Sequence, residues 1–168
     1  NLFTASQFQA MTTRQIAALR TDQINGMASD DLQALTGAQV AALSTDQIKN
    51  MASTDVGTLT ADQLGNLTSL QIRAIETADI GGIGITALAG LGTAQMRALT
   101  SDQLGAFSTD QLVGLTDTQL SGLSTAQIQQ LATDDLNTFT ATQFQALGTA
   151  QIAALATDQV RQLQSTDL

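Results

Sequence analysis

Aspartate, glutamine, serine and threonine are the chemically capable side chains that recur in register along this sequence. The pairs Asp30-Asp31 and Asp134-Asp135 could each offer oxygen ligands to a calcium ion, and paired carboxylates could in principle perform acid–base work. A row of Gln could bond a sugar or a peptide. Gly81-Gly82-x-Gly84 invites comparison with phosphate-cradling loops. Each idea meets an obstacle. The aspartates recur with a repeat and do not single out one place, and no D-x-D-x-D-G loop is present. The glycines lack the G-x-G-x-x-G spacing and have no Lys nearby. The chain contains no Cys and no His, so a thiol nucleophile, the usual general base and the usual transition-metal ligands are missing. The residues therefore predict no catalytic, metal or cofactor site, no cofactor and no enzymatic activity.

Charge narrows the partners further. Fifteen acidic and six basic residues leave a net charge of −9, with Lys49 the single lysine. That balance opposes binding to nucleic acid or to an anionic membrane. The longest mainly apolar run, from Ile80 to Leu91, is too short to span a bilayer, so no membrane insertion is expected. The five arginines (Arg14, Arg20, Arg73, Arg97, Arg161) look scattered, and the five phenylalanines lie on core rows. Asn1 reads as an internal start or a processed end, and no N-terminal targeting segment is seen, which fits a piece of a longer protein.

What organises these residues is an octad. Stepping by eight from Phe3 through Met11, Leu19 and Met27 to Leu163 meets only large apolar residues, and so does stepping from Phe8 through Ile16 and Ile24 to Leu168. Neither row is broken by an insertion, and 168 residues make 21 octads, so 1–168 is expected to be a single continuous array. The residue before the second row is Gln in 15 octads, Asp in five and Ala87 in one.

A continuous helix cannot use this period, because eight residues overshoot two turns by about 80° and the rows would spiral round the cylinder. A continuous strand fares no better, since odd spacings of five and three would send the rows to opposite faces. A short helix in each octad satisfies both. The pairs Ser44/Gln47, Thr60/Gln63, Thr100/Gln103, Ser108/Gln111 and Ser124/Gln127 have capping-box spacing and are predicted to be structural caps. Asp46, Asp62, Asp102 and Asp110 then fall in first turns, where the helix dipole favours a carboxylate. Where the hydroxyl comes one residue late, as in Ala132-Thr133-Asp134-Asp135, the cap could shift with it.

Helices of about five to seven residues fall below the roughly 12–15 that an isolated helix needs in water. Octads must therefore stack, burying the small residues before the first row (Ala18, Gly26, Ala34, Ala42) and completing one another's hydrogen bonds. The expected fold is all-α, a solenoid or superhelix of about 21 octapeptide repeats, with a β-solenoid as the alternative. The segment 80–92 holds Gly81, Gly82, Gly84, Gly90 and Gly92 and lacks both cap hydroxyl and Gln, which marks it as a degenerate repeat and a hinge candidate.

Strings such as Ala42-Leu43-Ser44-Thr45-Asp46-Gln47-Ile48 and Leu147-Gly148-Thr149-Ala150-Gln151-Ile152-Ala153-Ala154-Leu155 resemble the L-(S/T)-T-x-Q-(I/V/L)-x-x-L tracts of large bacterial secreted or surface proteins, of RTX-like or adhesin-like type. The resemblance covers the whole chain and implies an extracellular or cell-surface location and a structural or interaction role. The RTX calcium motif itself is missing. The expected function is a non-enzymatic spacer or scaffold; the alternative is a binding module whose surface takes a peptide, a glycan or another copy. Flanking repeats or domains of the same chain are the expected partners, with self-association through the array ends.

Overall fold

The computed structural model describes residues 3–163. Among them the regular structure is α-helix throughout, one helix of four to six residues to an octad, so the expected all-α solenoid holds over the β-solenoid alternative. Each helix runs from just after the Ser/Thr position to just before or at the residue preceding the next first-row anchor. The anchor and the following N-cap residue are both extended, as at Leu67 (φ −63°, ψ 139°) and Thr68 (φ −70°, ψ 160°). Two extended residues turn the chain sharply without any left-handed residue. None of the described residues has a positive φ.

Along the array helices pack on those three further along, so three octads complete one turn. The solenoid thus has three faces. The first carries α1 (Ala5–Ala10), α4 (Ser29–Ala34), α7 (Ser53–Thr58), α10 (Thr77–Ile80), α13 (Ser101–Gly105), α16 (Thr125–Gln130) and α19 (Thr149–Ala153). The second carries α2 (Thr13–Ala17), α5 (Gly37–Ala41), α8 (Ala61–Asn66), α11 (Ile85–Leu88), α14 (Thr109–Val113), α17 (Thr133–Leu136) and α20 (Thr157–Gln162). The third carries α3 (Thr21–Asn25), α6 (Thr45–Lys49), α9 (Ser69–Ala74), α12 (Thr93–Ala98), α15 (Asp117–Gly122) and α18 (Ala141–Ala146).

Both apolar rows line the interior as one continuous core, from Phe8 and Ile16 to Phe144 and Leu147. The corner makes this possible. It redirects the chain between the anchors, so their odd spacing no longer sends them to opposite sides. The small residues before the first row are less enclosed than stacking alone requires, since Ala34 and Ala42 are half-buried and Ala18 and Gly26 exposed.

The glycine-rich segment stays within the array. Ile83, Leu88 and Leu91 are buried, and α11 packs on α8 and α14. None of its glycines has a positive φ; Gly90 serves close approach, while Gly84 stands in open space. A Cβ at Gly90 would lie 2.0 Å from the Ala61 carbonyl oxygen, and one at Gly65 would lie 2.7 Å from that of Gly90. No helix among the described residues is long and apolar enough to cross a membrane.

Deleting one octad, Leu99–Ala106, should preserve cooperative unfolding while moving everything downstream round by one face. Deleting a whole turn of three octads should preserve both the fold and the faces. Deleting half an octad should abolish the cooperative transition by exchanging core and surface. Thermal unfolding followed by circular dichroism separates the three cases, and equal tolerance of all three would mean that neither octad nor turn is the structural unit.

Candidate functional site: the glutamine ladder and the exposed faces

Every helix as short as these leaves most of its backbone groups without an intrahelical partner. At the N-terminus the predicted pairs form reciprocal caps. Gln47 N–H donates to Ser44 Oγ (3.1 Å) and Ser44 N–H to Gln47 Oε1 (2.6 Å). The same exchange joins Thr60 to Gln63, Thr100 to Gln103, Ser108 to Gln111 and Ser124 to Gln127. The Gln half persists where the hydroxyl is lost: the backbone N–H groups of Arg20, Gly92, Gly148 and Ala156 still donate to Oε1 of the Gln three residues on. The cap frame does not slip in the variant octads. Ala132 is itself the N-cap of α17, and Thr133 is already helical.

The other end of the amide has a role that the capping spacing alone does not reveal. Gln63 Nε2 donates to the carbonyls of Leu32 and Leu35, both at 2.8 Å, at the C-terminal end of α4. Gln103 reaches Ile72 and Ile75, Gln111 reaches Ile80 and Ile83, and Gln127 reaches Met96 and Leu99. Gln47 reaches Leu19 in the same way. For Gln63, Gln103, Gln111 and Gln127 the acceptors are one second-row and one first-row anchor of the previous turn, while Gln47 pairs the first-row Leu19 with Ala17. One side chain therefore closes the start of its own helix and the end of a helix beneath it. Gln63 is fully buried and Gln103 is 2% exposed. A sugar or peptide cannot use a row whose amides are already engaged and enclosed. Gln7, Gln15 and Gln23 are exposed because no coil lies beneath them among the described residues.

Aspartate in the ladder changes the chemistry. Asp31, Asp55 and Asp79 occupy this position on three successive turns of the first face and are buried. A carboxylate has no proton to offer the carbonyls that Gln would serve, which for Asp55 are those of Ile24 and Met27. Burial pushes the Asp55 carboxyl above its ordinary range. Asp135 is also raised, first by burial and then by neighbouring Asp134, against a lowering hydrogen bond from the Ala132 N–H. Asp30-Asp31 and Asp134-Asp135 form no metal cluster, and the described residues contain no group of three or more His, Cys, Asp or Glu that could hold a metal ion.

The outer surface is unevenly charged once residues are sorted by turn. Lys49, Arg73 and Arg97 sit at the ends of α6, α9 and α12, on three successive turns of the third face, and all are exposed. The arginines that looked scattered at the octad period include two members of a column whose period is three octads. That longer spacing was the signal available in the sequence. Arg73 Nε donates to the Ala98 carbonyl of the next turn (3.1 Å), and the third face opens there into a 350 Å³ cleft between Leu70, Arg73, Ala94 and Arg97. A larger 540 Å³ cleft at the neighbouring corner is lined by Lys49, Arg73, Glu76 and Asp102.

A fold in which each octad is completed only by its neighbours one turn away is that of an α-solenoid repeat protein. The chain belongs to the ALTTAQ repeat family, whose model matches residues 24–61, 72–109, 102–133 and 128–165 and so covers most of the sequence. No curated protein matches it.

Gln63→Ala should destabilise the array by about 2–4 kcal/mol, since two buried carbonyls and an N-cap N–H lose their partner together. Gln63→Glu keeps the shape and the cap acceptor but removes the donor, so it should be worse at pH 7 than at pH 4. Urea unfolding at both pH values measures this, and a Glu variant as stable as wild type at pH 7 would contradict the inter-turn role.

Asp55→Gln should do the reverse. Gln159 already works behind an Ala N-cap, Ala156, and still bonds Ile128 and Leu131. The substitution should therefore gain about 1–2 kcal/mol at pH 7 from two new hydrogen bonds. Because the folded Asp55 pKa lies above its ordinary 3.8, its contribution is present below pH 3.8 and is lost as pH rises through the folded value. The benefit of the substitution should thus shrink as pH falls toward 4.

Proposed function

We propose that this repeat region is a non-enzymatic spacer or scaffold segment of a large bacterial secreted or cell-surface protein. The observation that carries the reading is the use made of the glutamine row. The polar residue that recurs most regularly is consumed in joining each turn to the last, so the repeat is built to propagate itself. Successive turns present similar lower and upper interfaces, and adding turns adds length without remaking what is already there. An acidic, cysteine-free chain of this kind is compatible with export. Flanking repeats or domains of the same chain are its natural partners.

A second reading is favoured by the clefts along the third face. The solenoid would then be a binding module, gripping a peptide or glycan beside Arg73 and Arg97.

The two readings part under a change of length. Variants with one or two whole turns removed or duplicated should change the maximum dimension in solution scattering by about 8–10 Å per turn, the distance between packed helices. Stability should rise with each added turn. A dimension that does not scale with turn number would sink the spacer reading.

A further inference from the structure

The third face carries its cations in single file. Lys49, Arg73 and Arg97 repeat at every third octad, one to each turn, and their heads are exposed. A helix C-terminus favours a cation, which accounts for their place within each helix. It does not account for three of the six basic residues falling on consecutive turns of one face, in a chain of net charge −9. Among the described residues the ion pairs are Arg20–Asp22 and Arg161–Asp158, so none of the three is neutralised by one.

The second face carries the counterpart. Asp110, Asp134 and Asp158, in the first turns of α14, α17 and α20, also repeat at every third octad and are exposed. They are the exposed carboxylates that run through three successive turns among the described residues. Asp158 has Arg161 at 3.8 Å, but both side chains are at least 75% exposed, so the pair is readily exchanged. A column of cations and a column of carboxylates built on one solenoid share one axial repeat by construction. No other partner has that spacing guaranteed.

We propose that the third face docks a second copy of this chain, which presents the carboxylate column of its second face. Lys49, Arg73 and Arg97 then each meet a carboxylate at once, and the registers match without distortion. Leu70, 69% exposed beside Arg73, lies where the approaching copy would cover it. The two surfaces differ, so the contact is heterologous: one copy keeps its carboxylate column free and the other its cation column, and association continues sideways. The inference deepens the scaffold reading by adding a lateral bond to an extended rod.

Charge exchange tests it. Sedimentation of the wild-type chain should show concentration-dependent association at about 0.01 M salt, where the screening length is about 30 Å, and monomer at about 1 M, where it is about 3 Å. The triple variant Lys49→Glu/Arg73→Glu/Arg97→Glu should associate about tenfold or more weakly, as the loss of three exposed pairs implies. Asp110→Lys/Asp134→Lys/Asp158→Lys should behave likewise, and an equimolar mixture of the two should recover association. All six positions are exposed, and an unchanged helical circular dichroism spectrum confirms folding. The proposal falls if the wild type stays monomeric at low salt, if either variant associates like the wild type, or if the mixture does not recover. Wild-type monomer that is retained on heparin would assign the column to a polyanion and overturn the proposal in that way. The scaffold reading is judged separately, because scaling of length with turn number is read on the monomer.

Discussion

The amide of the glutamine that 15 of the 21 octads carry at one position is the interaction on which the rest of the solenoid depends. A helix this short has almost no backbone bonding of its own, and stacking such helices around an apolar core leaves their ends buried. A buried helix end needs an acceptor at its start and donors at its finish. The Gln side chain carries one of each, a few ångströms apart. Asn would be one methylene too short to span the gap, Glu would have no donor, and Lys would have no acceptor. Serine and threonine assist at the N-cap, yet Gly92, Gly148 and Ala156 manage without a hydroxyl while Gln remains. The order of importance is therefore the amide first and the hydroxyl second.

The octad's length follows from the same economy of parts. About one turn and a half of helix brings the second-row anchor and the next first-row anchor to the interior, and two extended residues then turn the chain. Three such strokes close a turn, and the fourth begins above the first, which sets Gln63 over the two anchor carbonyls of the turn behind it. Glycine enters where two turns come too close for a side chain, as at Gly65 and Gly90. In the glycine-rich segment the cap hydroxyl and the Gln are both missing, but Ile83, Leu88 and Leu91 hold the core in register. Burial carries that octad where hydrogen bonding is thinnest.

Much of this was legible in the residues. The rows named the core, the Ser/Thr-x-x-Gln spacing named the caps, and the failure of both regular periods named a chain broken into short helices. The number of octads per turn was not legible. It depends on the dihedrals of the two corner residues, and nothing about Leu-Thr as a dipeptide selects a three-sided path. Once that number was hidden, so was everything spaced by it. The second bond of Gln lies one turn away, so capping looked like a sufficient explanation for its position. Lys49, Arg73 and Arg97 fall in different octads with two unremarkable ones between, and at the octad period they have no relation. The shift of cap anticipated at Ala132 failed for a related reason: the frame is held by the core anchors and the residue before them, and the hydroxyl follows the frame instead of setting it.

The two periods constrain the protein differently. The backbone and core answer to the octad, because any octad can sit on the octads below it. The outer charges answer to the turn, because only a shift of three whole octads returns a side chain to its own face. An array shaped by folding alone could gain or lose octads one at a time and would scatter its charges among the faces as it did so. Here the described basic residues leave the first face empty, while that face holds Asp30, Asp31, Asp55, Asp79, Asp102 and Glu76. The exposed cations of α6, α9 and α12 share the third face. Such segregation survives only if length changes by whole turns, or if the faces themselves matter to what the array touches. The octad is thus the unit of folding, and the three-octad turn is the unit at which this surface has meaning.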